Sequence, residues 1–155
     1  MPEGRSIEHV PADHPFMKLA FEARKKSNDH LFPNGAVIVK DGEVIGQGFN
    51  KPGYSNKTLI KWHKSWMCIR RWIKAKTGTY YWICPGCASS RNHSERRAIQ
   101  NVKKAGKGDM LQGADIYLAG HWWCCKPCWD AMIEAGINRV YLVENAKESF
   151  ETRIW

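Results

Sequence analysis

The chain has 155 residues, of which 43% are hydrophobic and 25% charged, an ordinary globular composition that excludes wholesale disorder. Lysine and arginine exceed aspartate and glutamate by nine, which favours an anionic partner. No run approaches the roughly 20 apolar residues of a membrane-spanning helix, and the first residues lack the apolar core of a signal peptide. We therefore expect a cytoplasmic protein of one domain, without membrane association, whose six cysteines are metal ligands or free thiols.

The first part of the chain predicts a helix followed by a strand hairpin. Residues 1–13 are expected to form a loose arm. Apolar residues at helical spacing predict a helix over 14–28. The β-branched run 36–40, an Asp-Gly pair and a second run over 43–46 predict two antiparallel strands joined by a tight turn.

A basic, aromatic segment over residues 51–92 follows the hairpin. Between Val44 and Ser94 there is no Asp or Glu, and the nine Lys and Arg residues of that stretch account for the whole net charge. Basic residues interleaved with aromatic ones are typical of surfaces that bind phosphates and stack on bases; a solvated insert packed on the core by its aromatic face is the alternative. One continuous helix is predicted over 58–76, with Gly78 as its stop, and a loop is predicted over 79–92. The inward stripe of this helix would be Trp62, Trp66, Ile69 and Ile73.

The second part of the chain alternates helices and strands. The pattern predicts a helix over 93–104, a strand over 114–119, a helix over 127–135 and a strand over 140–143. Together with the first helix and the hairpin, this order indicates an α/β sheet with helices on its faces.

Two short motifs, each at the start of a predicted helix, supply the ligands of a zinc site. One is the His-x-Glu triplet of residues 93–95, and the other is the Cys-x-x-Cys pair of residues 125–128. Three protein ligands leave the fourth tetrahedral position of zinc open for water, which is typical of catalytic zinc. The predicted ligands are His93, Cys125 and Cys128.

Glu95 is too near His93 in sequence to be an obvious fourth ligand, and is better placed to move a proton. Zinc lowers the pKa of bound water toward about 7, so hydroxide would be available at neutral pH. The alternative is a structural site whose fourth ligand is Cys124 or His121.

Taken together, His-x-Glu followed by Cys-x-x-Cys resembles the signature of the zinc-dependent cytidine and deoxycytidylate deaminase superfamily. The resemblance runs from about residue 15 to 146. It implies a three-layer α/β fold, whose central mixed sheet has an antiparallel hairpin and helices on both faces. It also implies hydrolytic deamination, with Glu95 as the proton shuttle beside the zinc.

The resemblance also assigns substrate contacts. Asn50 matches an asparagine that contacts the sugar or base, and Gly35 and Ala36 match a segment whose backbone faces the base. Deoxycytidylate deaminases look closest, because they carry a longish insert before His-x-Glu and bind a nucleotide phosphate. The expected substrate is therefore dCMP or a related pyrimidine nucleotide. Trp122 and Trp123 depart from the family pattern, and would reshape the pocket or stack on a base.

A second cysteine pair, Cys84 and Cys87, flanks a Pro-Gly turn that can point both sulfurs at one ion. His63 and Cys68 on the preceding predicted helix could complete a tetrahedral structural zinc site. Such a site would fasten the basic segment to the core. Buried or free thiols in a reducing compartment are the alternative.

Two further functions stay open. A deaminase acting on a base in single-stranded DNA or RNA, as tRNA adenosine deaminases do, fits the charge of +9 and the aromatic residues. A non-catalytic, zinc-stabilised nucleic-acid-binding module fits a pocket blocked by Trp123 and Cys124. By resemblance alone, we also expect a homo-oligomer.

Overall fold

A computed structural model of the chain describes residues 6–29, 32–53, 56–76 and 79–151, apart from the side chain of Lys64. Five strands form one mixed sheet within these residues, in the order β1-β5-β4-β2-β3. Strand β2 is antiparallel to both its neighbours, whereas β4, β5 and β1 run parallel. The strands are β1 (Ile7–Val10), β2 (Gly35–Lys40), β3 (Glu43–Phe49), β4 (Asp115–Ala119) and β5 (Arg139–Val143).

The tight turn of the hairpin is set by its Asp-Gly pair. Asp41 and Gly42 both have positive φ, 51° and 83°. Positive φ at both central residues matches the right-handed twist of the flanking strands and is adopted readily by Asp-Gly. The predicted hairpin is thus confirmed, with Lys40 paired to Glu43.

Helices cover both faces of the sheet, as expected for this fold. They are α1 (Pro15–Lys25), α2 (Lys57–Trp62), α3 (Ile69–Trp72), α4 (Ser94–Lys104), α5 (Lys126–Glu134) and α6 (Ala146–Glu151). Side chains of β2 alternate between the faces: Val37 packs with Met17 of α1, and Ile38 packs with the α4 and α5 side. Two apolar layers result, and α4 and α5 begin at the same end of the second layer. None of the described helices is long and apolar enough to cross a membrane.

The loose arm expected over residues 1–13 is wrong for Ile7–Val10, and residues 1–5 lie outside the described part of the chain. Ile7–Val10 is an edge strand parallel to β5, with Ile7 opposite Val140 and Val10 opposite Val143. Ile7 packs against one apolar layer and Val10 against the other. Four residues whose partners lie 133 positions away carry too little local pattern to be recognised.

The single helix predicted over 58–76 is also wrong. Helix α2 continues as a π-helical turn over His63–Met67, the backbone becomes extended at Cys68 (ψ 102°), and α3 follows. The expected inward stripe is largely exposed, and the buried side chains are instead Ile60, His63, Cys68 and Arg70. The break turns His63 and Cys68 toward the loop that carries Cys84 and Cys87. The predicted helix stop at Gly78 lies outside the described residues.

Candidate active site

The three predicted zinc ligands meet at the N-termini of α4 and α5. His93 precedes the first residue of α4, Cys125 precedes the first residue of α5, and Cys128 lies in the first turn of α5. His93 Nδ1 is 3.5 Å from Cys125 Sγ and 3.4 Å from Cys128 Sγ. These are the separations of ligands on one tetrahedral zinc, whose N···S edge is roughly 3.5 Å for ordinary bond lengths.

The outer nitrogen of His93 also suits a metal ligand. Nε2 lies 3.3 Å from the carbonyl oxygen of Ala88. A proton on Nε2 donated to that carbonyl leaves the Nδ1 lone pair directed toward the two sulfurs. The donor set and the tautomer together fit zinc.

The thiols at and beside the site have pKa values shifted by different causes. Hydrogen bonds from Cys128, and then from His93, lower the pKa of Cys125 to about 5, so its thiolate is present at neutral pH. Sharing that proton raises the pKa of Cys128. Burial raises the pKa of Cys124 well above its usual range, and Cys124 packs in the apolar core. Among the described residues, neither Cys124 nor His121 joins the three-ligand group.

Glu95 lies in the first turn of α4 and is buried beside the ligands. Ser94 Oγ donates a hydrogen bond to Glu95 Oε2 at 2.9 Å. Glu95, His93 and Cys125 line one cavity, which places a carboxylate at the open side of the metal-ligand group. This arrangement can pass a proton between a water molecule and a bound molecule.

The active-site cavity has a volume of about 30 Å³. Sequence reasoning missed several wall residues, because they come from distant segments and share no spacing motif. They are Asp29, Phe32, Asn34, Arg70, Tyr81 and Ala88. Cys87 and His121, named above only as possible metal ligands, also lie in the wall.

Asn50 lies in the cavity wall, and its amide is fully engaged with the chain itself. Its Nδ2 donates to the carbonyl oxygen of Phe32 (2.7 Å) and to Asp29 Oδ2 (3.1 Å). Its Oδ1 accepts from the backbone N–H of Asn34 (2.7 Å) and from Ser27 Oγ (2.6 Å). Asn50 therefore holds Ser27, Asp29, Phe32 and Asn34 together beside the cavity. Its contact with substrate stays a prediction.

The other predicted substrate contacts differ in whether they line the cavity. Trp123 lines the cavity, and its buried indole Nε1 has no hydrogen-bond partner among the described residues. Trp122 is partly exposed and does not line the cavity. Gly35 packs so closely on α1 that a Cβ would lie 2.3 Å from the Ala20 carbonyl oxygen, and Ala36 faces the core. Neither Gly35 nor Ala36 lines the cavity.

The second predicted ligand set also comes together. His63, Cys68, Cys84 and Cys87 are buried, with their ligand atoms all within 4.8 Å of one another. Cys87 Sγ is 3.8 Å from Cys68 Sγ and 3.6 Å from His63 Nε2. A Cβ on Gly86 would lie 2.2 Å from the His63 ring, so only glycine admits this histidine. A hydrogen bond from Cys87 lowers the pKa of Cys68 to about 3. Three cysteines and one histidine fit a closed, structural zinc site.

Tryptophans of the basic segment are exposed to solvent. Trp66 and Trp72 are 58% and 62% exposed and stack with ring centroids 6.4 Å apart. Trp82 is 80% exposed, and beside it a second cavity of about 230 Å³ adjoins His93 and Cys125. Packing of the aromatic face on the core does not occur for these three side chains.

Residues 11–144 match the family model of the cytidine and deoxycytidylate deaminase zinc-binding region. The chain belongs to this deaminase family. Its fold is the one expected of this family. The residues that could bind the zinc are those already described.

Curated relatives of this chain are named for different processes. The chain is 27% identical over 135 residues to the riboflavin biosynthesis protein RibD of Aquifex aeolicus, covering 83% of this chain and 26% of that protein. It is 29% identical over 128 residues to the chloroplastic tRNA(adenine(34)) deaminase of Arabidopsis thaliana, covering 77% of this chain and 9% of that protein. The chain thus spans about a quarter of the length of the first relative and about a tenth of the length of the second.

A solved structure has the same fold. The dCMP deaminase of cyanophage S-TIM5 in its apo form is 20% identical, covers 88% of this chain and 86% of that one, and superposes with a TM-score of 0.51. At this identity the similarity establishes the architecture alone.

Proposed function

We propose that this deaminase hydrolyses the exocyclic amine of a free nucleotide, with dCMP or a related pyrimidine nucleotide as substrate. The observation that carries the proposal is the buried Glu95 carboxylate beside a three-ligand group that leaves one zinc position open. A phosphate-bearing substrate is supported by the acid-free segment between Val44 and Ser94. The resemblance to deoxycytidylate deaminases supports the pyrimidine.

The reaction exchanges an amine for oxygen: base–NH₂ and water give base=O and ammonia. Zinc, when bound, supplies a Lewis acid that makes water acidic enough to lose a proton near neutral pH. Glu95 accepts that proton and returns it to the departing amine. Ser94 holds Oε2 of Glu95, and the Ala88 carbonyl holds the outer nitrogen of His93. Trp123, in the cavity wall, presents a face on which a base can stack.

A second, structural zinc at His63, Cys68, Cys84 and Cys87 belongs to the same proposal. Four buried ligand atoms within 4.8 Å support it. All six cysteines are free of disulfides. Reduced thiols that bind zinc suit a reducing compartment such as the cytoplasm.

A second candidate function is deamination of a base within single-stranded DNA or RNA. The exposed rings of Trp66, Trp72 and Trp82 favour it, because stacking on aromatic side chains is how proteins hold single strands without reading their sequence. The cavity beside Trp82 adjoins two of the zinc ligands, so a strand stacked there would pass the active site.

Ammonia release from the zinc-loaded protein tests the proposal. The panel is dCMP, CMP, cytidine, cytosine, adenosine, guanine and a short single-stranded oligonucleotide. We expect dCMP turnover, and a fall of at least about 10²- to 10⁴-fold in Glu95→Gln with unchanged zinc content. Glu134→Gln, an exposed residue of α5, is the matched control and should behave as the wild type.

The panel separates the candidates. Turnover of the oligonucleotide alone would favour the second candidate, deamination within a single strand, over deamination of a free nucleotide. No turnover of any compound, with both zinc sites filled, would contradict both.

A further inference from the structure

Arg70 is a buried cation for which the described part of the chain offers no carboxylate partner. Its side chain is 7% exposed, and the ion pairs found among the described residues do not include it. Its Nε donates to the carbonyl oxygen of Thr79 at 2.8 Å, and its Nη2 reaches that of Lys76 at 3.4 Å. A guanidinium is costly to bury unless a negative charge lies close to it.

In a zinc-loaded second cluster, the Cys87 thiolate would supply that negative charge. Arg70 Nη1 lies 3.7 Å from Cys87 Sγ, a member of the second ligand cluster. Three thiolates and one neutral imidazole around a zinc ion carry a net charge of −1. One arginine neutralises that charge, so the buried guanidinium and a zinc-loaded cluster stabilise each other.

The same guanidinium reaches the catalytic centre through Tyr81. Arg70 Cζ lies 3.9 Å from the centroid of the Tyr81 ring, a cation–π contact. The Tyr81 ring in turn meets the His93 ring edge-on, with centroids 5.4 Å apart and an interplanar angle of 83°. Arg70, Tyr81 and His93 all line the active-site cavity.

The backbone after Cys87 also connects the second cluster to His93. Cys87 is followed by Ala88, whose carbonyl oxygen lies 3.3 Å from His93 Nε2. Two contacts that orient the His93 ring therefore come from the segment 81–88. Regular structure in this segment is limited to a single 3₁₀ turn at Tyr81–Ile83, so side-chain contacts contribute much to its position.

We propose that Arg70 and the second zinc cluster form one support that orients His93 for the catalytic zinc. Arg70 is a positioning residue, which acts through Tyr81 on the ring and through Cys87 and Ala88 on its outer nitrogen. The inference rests on the proposed second zinc, but not on which substrate is deaminated.

The zinc affinity of the catalytic site tests the proposal without any substrate. The full chain competes with a chromophoric chelator for zinc, and the absorbance of the chelator gives the zinc affinity of the protein. The variant His93→Ala retains the second cluster, so the part of the titration curve that it loses belongs to the catalytic site. We expect Arg70→Ala to weaken that site by about 10- to 100-fold, as removal of outer support does for metal ligands. Arg71→Ala, an exposed arginine of the same helix, is the matched control and should leave it unchanged.

Cobalt(II) adds a readout of geometry. The absorption bands of cobalt in the catalytic site should shift in Arg70→Ala and in Cys84→Ser, and partly recover in Arg70→Ala on addition of guanidinium. Wild-type affinity and spectrum in Arg70→Ala would overturn the inference, even if the protein deaminates nucleotides.

Tyr81→Leu alone tests the route if Arg70→Ala does not fold, and a double-mutant cycle tests it if Arg70→Ala does fold. Tyr81→Leu removes the half-buried ring, and it should weaken the catalytic site by itself. Where both single variants fold, Arg70→Ala/Tyr81→Leu should be no weaker than the more affected single variant, because the two residues act in series. Additive losses, or wild-type affinity in Tyr81→Leu, would contradict the proposed route.

Discussion

At the scale of single residues, Asn50 shows how much of the active-site wall depends on one side chain. Four hydrogen bonds converge on its buried amide, and they hold Ser27, Asp29, Phe32 and Asn34 in place. A sequence match can equate Asn50 with a substrate contact, but it cannot show that the amide is already saturated by the protein. Either role makes the residue costly to replace.

We expect Asn50→Ala to lower the free energy of unfolding by about 2 kcal/mol, because buried donors and acceptors lose their partners. Urea denaturation of the zinc-loaded protein measures the change. Asn101→Ala is the control: Asn101 makes one exposed hydrogen bond, to the Gln47 carbonyl oxygen, and its loss should cost at most about 0.5 kcal/mol. Equal stability of the two variants would show that the network around Asn50 contributes little.

At the scale of helices and strands, the predictable parts are those with strong local signals. The Asp-Gly turn fixes the hairpin, and the His-x-Glu and Cys-x-x-Cys motifs mark the starts of α4 and α5. Strand β1 escapes prediction because the pairing with β5 that positions it joins residues far apart in the chain. The break at Cys68 is not predicted, because the spacing of apolar residues carries no information about side chains that cluster as metal ligands. The positions of Arg70 and Tyr81 in the cavity wall depend on that break, so the sequence does not predict them either.

The position of α4 depends on the absence of a side chain in β3. A Cβ at Gly48 would lie 2.3 Å from the Ser94 carbonyl oxygen and 2.3 Å from the Ala98 N–H nitrogen. Both atoms are backbone, so α4 must move as a whole, and His93 and Glu95 move with its first turn.

Gly48→Ala should therefore destabilise the fold by about 3 kcal/mol and weaken zinc binding at the catalytic site. Thermal unfolding and chelator competition give the two readouts. Gly108→Ala is the control, since its Cβ would meet only Lys103 Cγ, at 3.8 Å. Unchanged zinc affinity in a folded Gly48→Ala protein would mean that α4 does not set the geometry of the ligands.

At the scale of the whole molecule, the net charge is concentrated in one third of the chain. The stretch from Val44 to Ser94 carries nine basic residues and no acidic ones, and its tryptophans are exposed. Apolar rings are rarely left in water in such number unless a partner covers them. The surrounding charge indicates that the partner is anionic, and the ring faces indicate that it stacks.

A single-stranded oligonucleotide should therefore bind the deaminase with an affinity that falls as salt rises from about 50 to 200 mM. Trp82→Ala should weaken binding by about 5- to 150-fold, the loss of one stacked base. The logarithm of the binding constant falls linearly with the logarithm of the salt concentration. Lys74→Ala, within the basic segment, should make that slope shallower by about one unit, whereas Lys104→Ala, on α4, should leave it unchanged. Fluorescence anisotropy of a labelled strand measures all three. Salt-independent binding, or wild-type affinity in Trp82→Ala, would limit this surface to the phosphate of a free nucleotide.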